Sequence, residues 1–285
     1  MKRRKTLDLV IKLGLMAVVL FFVYAPLAWL VLSSISTRAD LLAVPPRFIP
    51  TSPTFKNYLD ILLPGRAASE VATTFKIALG NSLLVAAVTT VICLVIGSLA
   101  AYALARLRLP FRDRLVVGIL SVRMIPEISL VIPLFIAAAK LSLINKPGVL
   151  IITYLSFALP YAIWMITTFF ETVPMELEDA ARIDGCSRLR TLFSVVLPVA
   201  TPGMISTGLF IFLLAWDEFF FALLFTSTIA AKTAPVAIAE FTGRYAVDIT
   251  GMMAAGVLAA LPPVLLALIF QRYIVSGLSA GAVKG

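Results

Sequence analysis

The sequence predicts an all-α membrane protein of six transmembrane helices with both termini in the cytoplasm, and three observations predict it. The 285-residue chain is 61% hydrophobic and 14% charged, whereas a soluble domain carries about a quarter charged residues. Its mean hydropathy is +1.03, so lipid is the expected solvent. Uncharged or nearly uncharged runs of bilayer length recur along it, and unpaired backbone groups cannot survive in lipid, which requires those runs to be helices.

The runs are Leu13–Leu32, a second within Ile77–Leu104, Leu115–Ala139, Val149–Phe170, a fifth from near Gly203 to near Ala230, and Gly251–Phe270. The first follows Lys2-Arg3-Arg4-Lys5, as a signal peptide would, but it has spanning length and no Ala-x-Ala site follows it, so it reads as an uncleaved helix. With the N-terminus inside, 14 Lys and Arg lie on inner segments against 9 outside. That bias places both ends in the cytoplasm. The loop Arg106–Arg114, with four positive charges in nine residues, weighs most. The chain divides into an N-terminal segment with the first helix (1–34), an external loop (35–76), a core with helices two to six (77–270) and a cytoplasmic tail (271–285). The external loop is proline-rich, with a short helix expected near Tyr58–Leu62.

Composition also excludes. The net charge of +9 sits between apolar runs and shows no interleaved basic and aromatic surface, so membrane lipid, not nucleic acid, is the expected partner. There is no histidine, and Cys93 and Cys186 form no pattern. Neither a metal site nor a disulfide framework is expected. No Gly-Lys pair occurs, so there is no GxxxxGK[ST] phosphate loop.

The longest inner connection, 171–202, is the most specific. Pro174 suits a helix start, and Glu176, Glu178 and Asp179 follow at the positive end of the dipole. Asp184-Gly185 ends that helix, Gly185 being free to turn left-handed. A second helix is expected from Ser187, with Leu189, Leu192, Phe193 and Val196 on one apolar face and Pro198 as its stop.

Here the chain resembles a known family. The signature Glu-Ala-Ala, three residues, Gly, nine residues, Ile, one residue, Leu-Pro is met by Asp179, Ala180, Ala181, Gly185, Val195, Leu197 and Pro198, with Asp for Glu and Val for Ile. This is similar to permease subunits of binding-protein-dependent ABC importers. Asn81-Ser82-Leu83, Thr233-Ala-Pro-Val-Ala-Ile and the tail Gln271–Gly285 resemble the carbohydrate-uptake branch, of the maltose- and trehalose-transporter type with a short C-terminal tail. The likeness runs from about Ala72 to the end.

The resemblance implies the ABC importer permease fold, with a cytoplasmic coupling-helix loop between helices four and five. It implies a non-catalytic subunit that provides half of a sugar pathway. Its partners would be a second permease subunit, two ATPase subunits holding ATP and magnesium, and an extracytoplasmic sugar-binding protein. Glu178, Asp179, Ala180, Ala181, Asp184, Gly185, Leu197 and Pro198 would couple to the ATPase, and Gln271, Gly277 and Gly281 would dock the tail; a frayed terminus is the alternative for the tail.

Charges inside the spans each cost about 2.5–3.5 kcal/mol at a helix centre and need partners or water. Arg123 and Glu127, four apart, share a helix face. They fit either a self-satisfying ion pair or a polar rim on the pathway. Trp216, Asp217 and Glu218 lie roughly 20 Å beyond Gly203 along the helix. Either Trp216 stacks on a sugar ring while a carboxylate accepts its hydroxyls, or Trp216 packs and the carboxylates serve neighbouring helices. With Asn81 these are the candidate pathway-lining residues. Competing classes are a permease for a non-sugar solute, an ion-driven transporter or channel subunit, which leaves the 171–202 loop without a purpose, and a membrane enzyme, for which histidine and paired carboxylates are lacking.

Overall fold

The computed structural model describes residues 2–45, 47–63, 70–242 and 248–282, with side chains for 9–45, 47–63, 72–242 and 248–273. The chain forms two compact units, one of 1–76 with 237–261 and one of 77–236 with 262–285. All regular structure among the described residues is helical.

In the first unit, α1 (Lys2–Ser34) contains an apolar stretch from Leu9 to Ser34, none of whose most apolar window is buried. The proline-rich segment behind it is organised around one carboxylate. Asp40, 2% exposed, sits in the short helix α2 (Arg38–Leu41), which Thr37 caps. It accepts from Thr51 Oγ1 at 2.6 Å, Thr37 Oγ1 at 2.8 Å and Arg47 Nη1 at 3.4 Å. Those donors favour the charged form and hold its carboxyl down at about 2, the Thr51 bond contributing most. The expected short helix forms as α3 (Lys56–Leu62), and Tyr58 Oη bonds Ser34 Oγ at 2.6 Å. Trp29 meets Phe48 edge to face, ring centroids 5.5 Å apart. The proline-rich segment is therefore pinned by polar bonds and not merely irregular.

The second unit is built on α4 (Glu70–Arg106), whose first turns belong to the first unit, and α7 (Pro147–Glu171). α7 begins with Pro147 in its first turn, where a missing N–H costs nothing. It buries Leu150, Tyr154, Ala158, Ala162, Ile166 and Phe170, which recur every fourth residue and so form one seam. Against it runs α11 (Thr201–Trp216). Gly203 makes the approach possible, since a Cβ there would overlap the Phe169 ring.

Two of the expected spans are not continuous. α5 (Arg112–Ser121) passes through a 3-10 turn, Val122–Met124, into α6 (Glu127–Lys140), with a bend of 86°. Pro126 is the cause: it forces Ile125 out of helical geometry, to ψ 122°, and offers no N–H. The run expected from Gly203 to Ala230 also ends early, at Trp216, and resumes as α12 (Phe220–Phe225). Glu218 interrupts it by accepting from Phe221 N at 2.7 Å and Ala222 N at 3.1 Å, so its carboxylate caps a new helix. Four helices are long and apolar enough to cross a membrane among the described residues, and two bent pairs, Arg112–Met124 with Glu127–Lys140 and Arg188–Val199 with Thr201–Trp216, bring the number up to six if each is one span. α14 (Ile249–Ala282) does not stop at Phe270. Pro262 and Pro263 lie inside it.

Candidate functional site

The 171–202 connection folds as a helix, a bend and a second helix. α8 (Met175–Ile183) follows Pro174, which stands just outside it. Gly185 takes φ +83°, and Asp184, Gly185 and Cys186 donate to the carbonyls of Ala180, Arg182 and Ala181. This glycine closes the helix because a side chain would be strained there. Ser187 caps α9 (Arg188–Thr191), its hydroxyl accepting from Arg190 N at 3.4 Å. A π turn at Leu192–Val196 then leads into α10 (Leu197–Val199), bent 82° from α11. Pro198 therefore does not stop the helix where expected. The wide turn carries the chain past the proline, and the break comes at Ala200 ahead of Pro202.

The apolar face expected on the second helix splits. Leu192 and Val196 are fully buried, whereas Leu189 and Phe193 are exposed, as are Met175, Leu177 and Ile183 on α8. Asp179, Ala180, Asp184, Gly185 and Pro198 share that exposed side of the loop; Leu197 is half-buried and Ala181 is buried. Exposed apolar side chains thus stand beside charges along this connection.

Glu178, expected to couple to the ATPase, is 4% exposed. Its Oε1 accepts from Arg106 Nε and its Oε2 from Tyr102 Oη at 3.0 Å. Arg106 Nη2 reaches the carbonyls of Phe170 (2.7 Å) and Val173 (2.6 Å). Sequence reasoning counted Arg106 only as a topology charge. The visible signal was its spacing four residues after Tyr102, which puts both on one face of α4.

A second constellation lies where the broken spans meet, around a cavity of about 570 Å³. Arg123, Glu127, Asp217 and Glu218 line it with Phe157, Phe210, Phe219 and Phe220. Arg123 Nη1 donates to Glu127 Oε1 at 3.3 Å, and its guanidinium lies 4.8 Å from the Tyr161 ring centre and 5.5 Å from that of Phe157. The ion pair forms on the cavity wall, although the two residues sit on either side of the Pro126 break. The aromatic lining went unread, because Phe in an apolar run carries no positional signal.

Two further pathway candidates lie away from that cavity. Trp216 is 3% exposed and stacks on Phe212 at 5.6 Å, packed into the core and outside the cavity. Asn81 is a clamp: its Nδ2 donates to Ala230 O at 2.9 Å and Lys232 O at 3.0 Å, while Ser82 Oγ accepts from Ala234 N at 2.8 Å. Asn145 grips the same strap, its Oδ1 accepting from Ser227 N at 2.5 Å and Thr228 N at 3.1 Å. Gln271 is exposed on α14. Gly277 and Gly281 lie on its helical backbone beyond the described side chains, and 283–285 lie outside the described residues.

Residues 93–280 match the family described as binding-protein-dependent transport system inner membrane component. The chain is 38% identical over 282 residues to the trehalose/maltose transport system permease protein MalG of Thermococcus litoralis, covering 99% of this chain and 98% of that one. It is 40% identical over 264 residues to the trehalose transport system permease protein SugB of Mycobacterium tuberculosis, covering 92% and 93%. The sulfoquinovosyl glycerol transport system permease protein SmoH of Agrobacterium fabrum is 39% identical over 260 residues, covering 91% and 88%. Among solved structures, a bacterial ABC transporter involved in import of the acidic polysaccharide alginate superposes with a TM-score of 0.79 at 20% identity, over 95% of this chain and 98% of that one.

Proposed function

Because this chain belongs to the binding-protein-dependent transport system inner membrane components, multi-pass and non-catalytic, we propose that it forms half of the translocation pathway of an ATP-driven sugar importer. The observation that carries this reading is similarity at 38–40% identity, across nearly the whole chain, to permeases whose names specify sugar uptake. In this reading the two bent pairs each make one span, giving six, with both termini in the cytoplasm. A second permease completes the pathway and two ATPase subunits supply ATP hydrolysis with magnesium. An extracytoplasmic sugar-binding protein delivers the substrate.

The exposed side of α8, with Asp179, Ala180, Asp184 and Gly185, seats in the ATPase. Ala181 packs beneath it, and Leu197 and Pro198 carry the motion on into α11. Closure of the ATPase pair drags α8 and switches the pathway between inward-open and outward-open, a bistable rigid-body change. The cavity at the span breaks is this chain's share of the pathway. There Glu127 and Asp217 accept sugar hydroxyls, Glu218 holds the backbone break open, and aromatic rings offer faces to the sugar. The tail from Gln271 through Gly277 and Gly281 docks at the ATPase pair.

Purification from the host, identification of co-purifying subunits and measurement of sugar-stimulated ATP hydrolysis test this. Solute movement by the isolated chain would overturn it. Gly185→Val should leave insertion intact and abolish uptake, because a β-branched residue cannot adopt the φ > 0 bend; normal uptake would remove the bend from the mechanism.

A further inference from the structure

We propose that Arg106 is a positioning residue for transport: with Glu178 it forms the rigid joint through which movement of α8 reaches the inner end of α4. This rests on the coupling reading above. The chain connects α8 to α7 through Thr172–Pro174 and to α9 through Asp184–Ser187. It makes no direct connection from α8 to α4, so a push on α8 reaches α4 through side chains. Arg106, the last residue of α4, supplies that path. It holds Glu178 with Nε and the carbonyls of Phe170, in the last turn of α7, and Val173 with Nη2. One turn back, Tyr102 takes the other carboxylate oxygen.

Both charged side chains are nearly dry, 7% and 5% exposed. A buried pair whose partners each make further hydrogen bonds is costly to separate, because each ion would be left uncompensated. A loop acid serving only as a docking charge would stay in water, as Glu176, Asp179 and Asp184 do. The neighbouring Arg112–Glu171 pair joins the other end of this turn to α7, not to α8, and is 37% exposed on both sides. It is too solvated to replace the joint.

The complete transporter, reconstituted in vesicles with its ATPases and binding protein, provides the test. In Glu178→Gln and Arg106→Gln the complex should assemble at normal stoichiometry and hydrolyse ATP, while uptake per ATP falls about tenfold, a coupling loss of ordinary size. Arg106→Lys should recover part of it. Normal uptake per ATP in both Gln variants would overturn the joint, and so would loss of the ATPases from Glu178→Gln, which would return Glu178 to the docking surface. Should those variants fail to insert, Tyr102→Phe, which removes one bond, should lower the ratio about threefold; an unchanged ratio counts against the proposal. A second readout does not depend on the sugar. Spin labels on the inner end of α4 and on α8 should keep one separation through the ATP cycle in the wild type and lose it in Glu178→Gln. A wild-type separation that changes with ATP overturns the joint. A wild-type complex that keeps its separation and hydrolyses ATP but moves no sugar overturns only the substrate reading.

Discussion

Two arginine–glutamate pairs stand at opposite extremes in this chain. Arg106 and Glu178 are 7% and 5% exposed, and both carboxylate oxygens are taken. Arg123 and Glu127 are 23% and 46% exposed, joined by one bond of 3.3 Å on the wall of a cavity. The chemistry is the same and the surroundings decide the role. Desolvation makes the first pair brittle and therefore stiff, since any displacement strands a charge. Water and aromatic faces make the second adjustable, so it can exchange partners with little cost. The proposed function asks for both qualities, stiffness where force would enter and compliance where solute would pass.

Mutation can break or sharpen that contrast. Arg106→Ala should cost about 3–5 kcal/mol, because it leaves Glu178 buried and unpaired, read as a lower unfolding midpoint in detergent. Equal losses at Arg106 and Arg123 would erase the contrast. Gly203→Val tests whether the scaffold between the two sites is as tight as the α7–α11 seam implies. Overpacking against Phe169 should cost about 1–3 kcal/mol, and Phe169→Ala should relieve much of it. Arg123→Gln should cost about 0.2–1 kcal/mol yet change the sugar concentration needed for half-maximal uptake. A large stability loss with unchanged uptake would make it a structural pair after all.

The smallest effect concerns Asp40, a buried carboxylate served by three donors. Its folded value of about 2 lies below the ordinary 3.8. The stabilisation is therefore fully present above the ordinary value and is lost as pH falls from there toward about 2. Emission from Trp29, which packs on Phe48 of the same segment, should stay constant down to about pH 4 and shift below it. Asp40→Asn should remove that transition.

Long uncharged runs announced most of the membrane helices, because length and apolarity suffice to place a helix in lipid. The Ala-Ala…Gly…Leu-Pro spacing likewise announced the loop, since Gly185 has one conformational reason to be there. The breaks at Pro126 and Glu218 were not legible. A proline or an acid inside an apolar run is compatible with a kink, a break or a continuous helix, and only the amide partners decide. α8 misled for a different reason: its polarity is inverted. Glu178 faces in, while Met175, Leu177 and Ile183 face out, so a rule that puts apolar residues inside assigns each of these to the wrong side. Trp216 packs on Phe212 and Asn81 bonds the carbonyls of Ala230 and Lys232, contacts that neither depth along a helix nor residue type reveals.

The strap after α12 carries one further implication. Asn145 fixes the amides of Ser227 and Thr228, Ser82 fixes that of Ala234, and Asn81 holds the intervening carbonyls. Solvent deuterons should therefore enter these amides slowly, at rates typical of helices and not of surface turns. A segment tethered at both ends has no freedom to flap, so in the proposed transport cycle any opening beside it would come from whole helices tilting and carrying the strap with them.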